Sequence, residues 1–232
     1  MDTSILKAVN AERRARRPVA VITHLAEGRC QLIREGDAAP TGLHEAVASA
    51  FRTGKSVLVE ADGQSLFLNV HLPPPRLVVI GAVHISQALA LIAQIAGFDV
   101  EIVDPRTAFA TADRFPNLSL HAEWPEQYLA DAPLDPFTAV AAVTHDPKID
   151  DLPIKAALDT GCFYVGALGS RKTHASRVKR LLESGASEEQ IARISAPIGL
   201  DIGASSPAEI AVSIIADIVR ALRTRGLPAE PG

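Results

Sequence analysis

The stretch Arg76-Leu-Val-Val-Ile-Gly-Ala-Val-His84 constrains this chain most. An apolar run stops at Gly81, an amphipathic segment extends to Gly97, and a second apolar run ends in Asp104. This order is the first strand–helix–strand unit of a dinucleotide-binding fold. Such a unit places a phosphate at a helix N-terminus and an acid near a ribose. The glycine fingerprint is incomplete, because Val83 takes its middle position and Ser86 its last. A β-branched Val83 is expected to push a pyrophosphate outward from the Gly81-Ala82 turn.

Pro73-Pro74-Pro75 punctuates the chain, since three prolines fit neither a central strand nor a helix interior. A small α+β domain is therefore expected over 1–74 and a larger domain over 75–232. Before the prolines, helices read at 3–16 and 41–53, and strands at 18–25, 30–33, 56–60 and 65–71. Asp62-Gly63 marks a hairpin turn. After them, strands read at 76–81, 99–103, 118–121, 137–143 and 163–167. Helices alternate with them at 85–97, 125–130, 151–160, 171–184, 187–193 and 206–225. This alternation predicts an α/β fold, a Rossmann-like parallel sheet with helices on both faces. Its strands are almost wholly apolar, as sheets covered on both sides require. Ser206-Pro-Ala-Glu209 is a capping box that starts the last helix.

A net charge of −4 over 232 residues argues against nucleic acid as the main partner. The basic cluster Arg13-Arg14-Ala-Arg16-Arg17 reads as the exposed face of the first helix. No apolar run reaches the roughly 20 residues that span a membrane, and the N-terminus lacks a signal-peptide pattern, so a cytoplasmic protein is expected. Cys30 and Cys162 stand apart, without a Cys-x-x-Cys or zinc spacing, and read as reduced thiols.

In an open parallel sheet, ligands sit outside the carboxyl ends of the strands. The residues just past each end are Gly81, Ala82, Val83 and His84; Asp104 and Arg106; Thr144, His145 and Asp146; and Gly169, Ser170, Arg171, Lys172 and His174. Asp104 follows Gly81 at the spacing of a ribose acceptor, and the adjoining Arg106 suits a phosphate. Arg171 and Lys172 open a helix, where the dipole already presents positive charge. That placement makes sense when an anion lies between these cations and the amides. His145 beside Asp146 has the chemistry of a base, and Asp201 in the loop Pro197–Gly203 joins the candidates. His84, His145 and His174 lack a tight metal-ligand spacing, so no metal is assigned. These residues do not settle which nucleotide, if any, is bound, and they leave an NAD(P)-dependent oxidoreductase and a ligand-free docking module as open readings.

Six segments together resemble the XdhC/CoxI family, accessory proteins of molybdenum hydroxylases. They are Val79–His84, Val103–Arg106, Arg114–Pro116, Thr144–Lys148, Phe163–His174 and Ala196–Gly203. The resemblance covers about residues 76–220. It implies a maturation chaperone that binds molybdenum cofactor (molybdopterin), assists its sulfuration and delivers it to the apo-enzyme. The partners it implies are that hydroxylase and a cofactor-sulfurating cysteine desulfurase; a homodimer is a separate expectation. Many relatives have a second glycine where Val83 stands here.

Overall fold

The computed structural model describes residues 3–225. Two compact units divide the chain: residues up to Pro73 together with the stretch from Arg223, and Pro74–Leu222.

The first unit begins with α1 (Thr3–Arg14), β1 (Val19–His24) and β2 (Cys30–Arg34). It continues with α2 (His44–Thr53), β3 (Val57–Ala61) and β4 (Gln64–His71). Its sheet is antiparallel, in the order β2-β1-β4-β3. Along β4, Leu66, Leu68 and Val70 are buried while Phe67, Asn69 and His71 are more exposed, the period-2 pattern of a half-buried strand. The buried set packs with Val47, Ala50 and Phe51 of α2. Val19 and Val21 meet Val9 of α1 on the opposite face. Asp62 and Gly63 both take positive φ, 51° and 71°, as a tight two-residue hairpin demands. The basic cluster is partly structural, because buried Glu12 accepts from Arg17 (2.5 Å) and Arg34 (2.8 Å).

The second unit contains β5 (Arg76–Ile80), α3 (His84–Ile95), β6 (Asp99–Val103), β7 (Ser119–His121) and α4 (Pro125–Asp131). There follow β8 (Thr138–Ala142), α5 (Pro147–Thr160), β9 (Tyr164–Ala167), α6 (Arg171–Glu183), α7 (Glu188–Ile191), β10 (Ile194–Ser195) and α8 (Pro207–Thr224). Six parallel strands run in the order β10-β9-β8-β5-β6-β7. Alternation along β5 feeds two cores. Leu77 and Val79 pack under α3 and α8, while Val78 and Ile80 face the side of α4, α5 and α6. A switch in winding direction lies between β5 and β8, where open sheets form their crevice.

Two local readings change. Helix α5 starts at Pro147 rather than at 151, because Asp146 caps it through the Lys148 amide (3.0 Å) and Pro147 takes the first turn. The two-residue β10 was not legible as a strand, since so short a segment carries no periodicity. The capping box of α8 forms, with Ser206 and Glu209 exchanging bonds of 2.9 and 3.2 Å. Asp217 ties that helix to the sheet by accepting from Tyr164 (3.0 Å) and Ser195 (2.6 Å). No helix among the described residues is long and apolar enough to cross a membrane.

Candidate functional site

Because all six strands are parallel, the turns after β5, β6, β8 and β9 open onto one edge. Gly81 has φ +119°, and a Cβ there would stand 2.7 Å from Thr144 Cγ2, so only glycine lets the β5 and β8 turns approach this closely. Ser86 is fully buried and donates to the Gly81 carbonyl at 2.6 Å. It fills the last fingerprint position with a small side chain that also closes the turn. Val83 is extended (φ −97°) and half-buried against the apolar core under α3. Its branched side chain packs against that core. No side chain caps the first turn of α3; the Ser86 amide turns back to the Val83 carbonyl (3.1 Å), which leaves the His84 and Ile85 amides without a side-chain acceptor among the described residues.

Asp104 departs from its sequence reading. It is fully buried and accepts from the amides of Ala82 (2.7 Å) and Arg106 (2.9 Å). It also accepts from Arg106 Nε (2.9 Å) and Nη2 (2.7 Å). Four donors fill its lone pairs, so it pins the glycine turn and has none left for a ribose. Burial pushes its pKa up, but the Arg106 side chain and the Ala82 and Arg106 amides outweigh this and hold it below the usual carboxylate range. Arg106 is thereby committed too, and it stacks on Phe109 at 4.7 Å. Arg114 was missed as part of this turn; it donates to the Ala82 carbonyl (2.9 Å) and the Phe109 carbonyl (2.7 Å). Its motif was visible in sequence, but its target carbonyl was not.

At the β8–α5 turn, His145 is exposed and left-handed, with φ +67°. Beneath it lies Asp150, fully buried, which accepts from the Thr144 hydroxyl (2.7 Å) and the His145 amide (3.1 Å). Burial pushes the Asp150 carboxyl up to about 6, against the hydrogen bond from Thr144 and the nearby Arg177 charge. Sequence reasoning missed Asp150 because it began α5 one turn late; the Asp146-Pro147 pair was the signal.

Past β9, Gly169 has φ +139°, and Ser170 caps α6 by accepting from the Thr173 amide (3.2 Å). Arg171 and Lys172 are exposed, and their side chains form no hydrogen bond or ion pair among the described residues. His174 is half-buried with Nδ1 unpartnered, its pKa lowered by burial and by Arg177. Asp201 is exposed beyond β10 and makes no bond to the other candidates. The structure thus joins the β5, β6 and β8 turns by direct contact, sets α6 and its two free cations on the same edge, and leaves Asp201 apart. No cluster of metal-ligand type occurs among the described residues. Uncapped amides and unpaired cations are groups whose chemistry suits an anion.

The cysteines lie elsewhere. Cys162 is fully buried, and burial, followed by the Asp135 charge, pushes its thiol up to about 12. Cys30 is half-exposed and donates to the Gly28 carbonyl (3.6 Å).

A family model described as the XdhC Rossmann domain matches residues 77–218. A probable xanthine dehydrogenase component of Bacillus subtilis is 35% identical over 157 residues, covering 67% of this chain and 46% of that protein. The molybdenum cofactor insertion chaperone PaoD of Escherichia coli is 32% identical over 146 residues, covering 63% of this chain and 40% of its own length. The chain therefore spans less than half the length of these curated relatives. A crystal structure of a xanthine dehydrogenase from Bacillus halodurans shares the fold, with a TM-score of 0.65 at 22% identity over 98% of this chain and 66% of that one. With the matched segment running from within β5 into α8, across the parallel sheet and its candidate edge, the chain belongs to the XdhC family.

Proposed function

We propose that this chain is a maturation chaperone that binds molybdenum cofactor and passes it to a molybdenum hydroxylase. The observation that carries this reading is the pair of free cations, Arg171 and Lys172, at the N-terminus of the 13-residue α6. Positive charge there costs energy unless an anion is bound. The named relatives supply the cargo class, since one is a molybdenum cofactor insertion chaperone. The cargo is a pterin with a terminal phosphate, or a pyrophosphate when extended by a nucleotide. Arg171 and Lys172 would hold that anion with the uncapped first-turn amides of α3. The buried, raised thiol of Cys162 is unsuited to sulfur transfer, and a cysteine desulfurase is the partner that would supply the sulfur of a sulfuration step.

The test is equilibrium binding of molybdopterin to the wild-type chain and to Arg171→Ala. Loss of one charge-assisted contact of about 1.5 kcal/mol weakens binding roughly tenfold. Equal affinity in both proteins refutes the assignment of the site.

The strand order also suits a dinucleotide, which keeps NAD(P) as a second reading. Committed Asp104 works against it, and we expect no change in NADPH fluorescence on addition of the protein.

A further inference from the structure

We infer that Asp150 is a positioning residue for the proposed cargo edge: its carboxylate, facing buried Arg177, holds Thr144 and His145 in their cargo-facing shape, and protonation releases them. This rests on the reading of that edge as the cargo site.

Geometry carries the argument. One oxygen of Asp150 takes the Thr144 hydroxyl at 2.7 Å and the other takes the His145 amide at 3.1 Å. His145 is left-handed, an unfavourable state for a residue with a side chain, so something must hold it. The Asp150 carboxylate is the group that bonds its amide. Thr144 in turn accepts from the Asp146 amide (3.0 Å), which places the cap of α5 in the same network.

The counter-charge is slack. Arg177 is almost wholly buried, yet its Nη2 stands 3.9 Å from Asp150, beyond hydrogen-bond reach, while donating to the Leu168 carbonyl at 3.1 Å. Its Nε and Nη1 have no hydrogen-bond partner among the described residues. A buried carboxylate with so loose a partner gains a proton easily, in keeping with its pKa near 6.

Other charged groups face the pair from each neighbouring element. Asp151 of α5 lies 3.9 Å from Arg177 Nε and is itself held by Arg180 of α6. Arg106, in the connection after β6, feels the charges of Asp146 and Asp150. His174 of α6 feels Arg177, and His145 and Asp146 belong to the turn itself. Among these, Asp150 alone bonds both Thr144 and His145. The proton-bearing acid can still accept from one of these donors, but its own O–H competes for the other position.

The test uses the His145 amide proton in a two-dimensional NMR titration of the full chain, without cargo. Its shift should follow a step with a midpoint near pH 6. Thr144→Val removes a hydrogen bond that favours the charged acid, so the midpoint should rise by about one pH unit. An identical midpoint in both proteins overturns the inference, because the His145 ring is untouched by that substitution.

Cargo binding supplies the second arm. Asp150→Asn should bind molybdopterin about tenfold more weakly than wild type at pH 8 and equally at pH 5. A ratio that is constant across pH also overturns the inference. Cargo that binds neither protein at any pH refutes the proposed function instead, and the amide titration still decides the role of Asp150.

Discussion

Replacing Asp104 by alanine separates a structural clamp from a ribose acceptor. Asp104 is fully buried and bonds the amide of Ala82, which is itself fully buried. Removing the carboxylate leaves that amide without its acceptor, at a cost of about 2 kcal/mol. The Arg106 guanidinium is one third exposed and regains water, so its pairing is worth only about 1 kcal/mol. The expected loss is ~3 kcal/mol, a fall in Tm of roughly 6–12 °C for a unit of this size. The sole tryptophan, Trp124, lies on the second unit and reports its unfolding in urea by fluorescence. Because the folded pKa of Asp104 is depressed, its stabilisation is present above the ordinary carboxylate value. It is lost as pH falls through the folded value, so wild type and variant should begin to approach each other only once pH falls below the ordinary carboxylate value of about 4. A change under ~0.5 kcal/mol at pH 7.5, together with loss of a bound nucleotide, would refute the clamp and restore the ribose role.

Gly81→Ala should cost more than ~2 kcal/mol by thermal unfolding, since it adds a Cβ 2.7 Å from Thr144 Cγ2 at a φ of +119°. Combining it with Thr144→Ser relieves the clash but not the backbone strain, so recovery should be partial; full recovery would show that φ is not constraining. Alkylation at pH 8 followed by mass spectrometry should modify Cys30 in the native protein and Cys162 only in urea, as the buried Cys162 thiol ionises near 12. Equal labelling of the two in the native state would contradict this burial.

Local chemistry made much of the second unit legible. The step from Leu77-Val-Val-Ile to Gly81 ends a strand because only glycine takes the positive φ that follows, and Ser206-Pro-Ala-Glu209 opens a helix using bonds within four residues. The candidate edge also followed from sequence, because parallel strands place all their carboxyl ends on one side. Helix α5 starts earlier than expected and runs through Pro153, a residue that ordinarily interrupts a helix interior. With that boundary went Asp150, now in the first buried turn.

The sequence by itself determined the alternation of strand and helix, the glycine turns and the two unpaired cations of α6, since each is set by propensity and capping over a few neighbours. Only the tertiary structure decided what the acids do. In the linear chain Asp104 has the spacing of a ribose acceptor and Asp150 belongs to no motif, yet both are fully buried. Asp104 meets Ala82 and Arg106, while Asp150 meets Thr144, His145 and the slack Arg177. Whether an acid serves a ligand or the fold depends on its solvation and on which donors other strands bring to it.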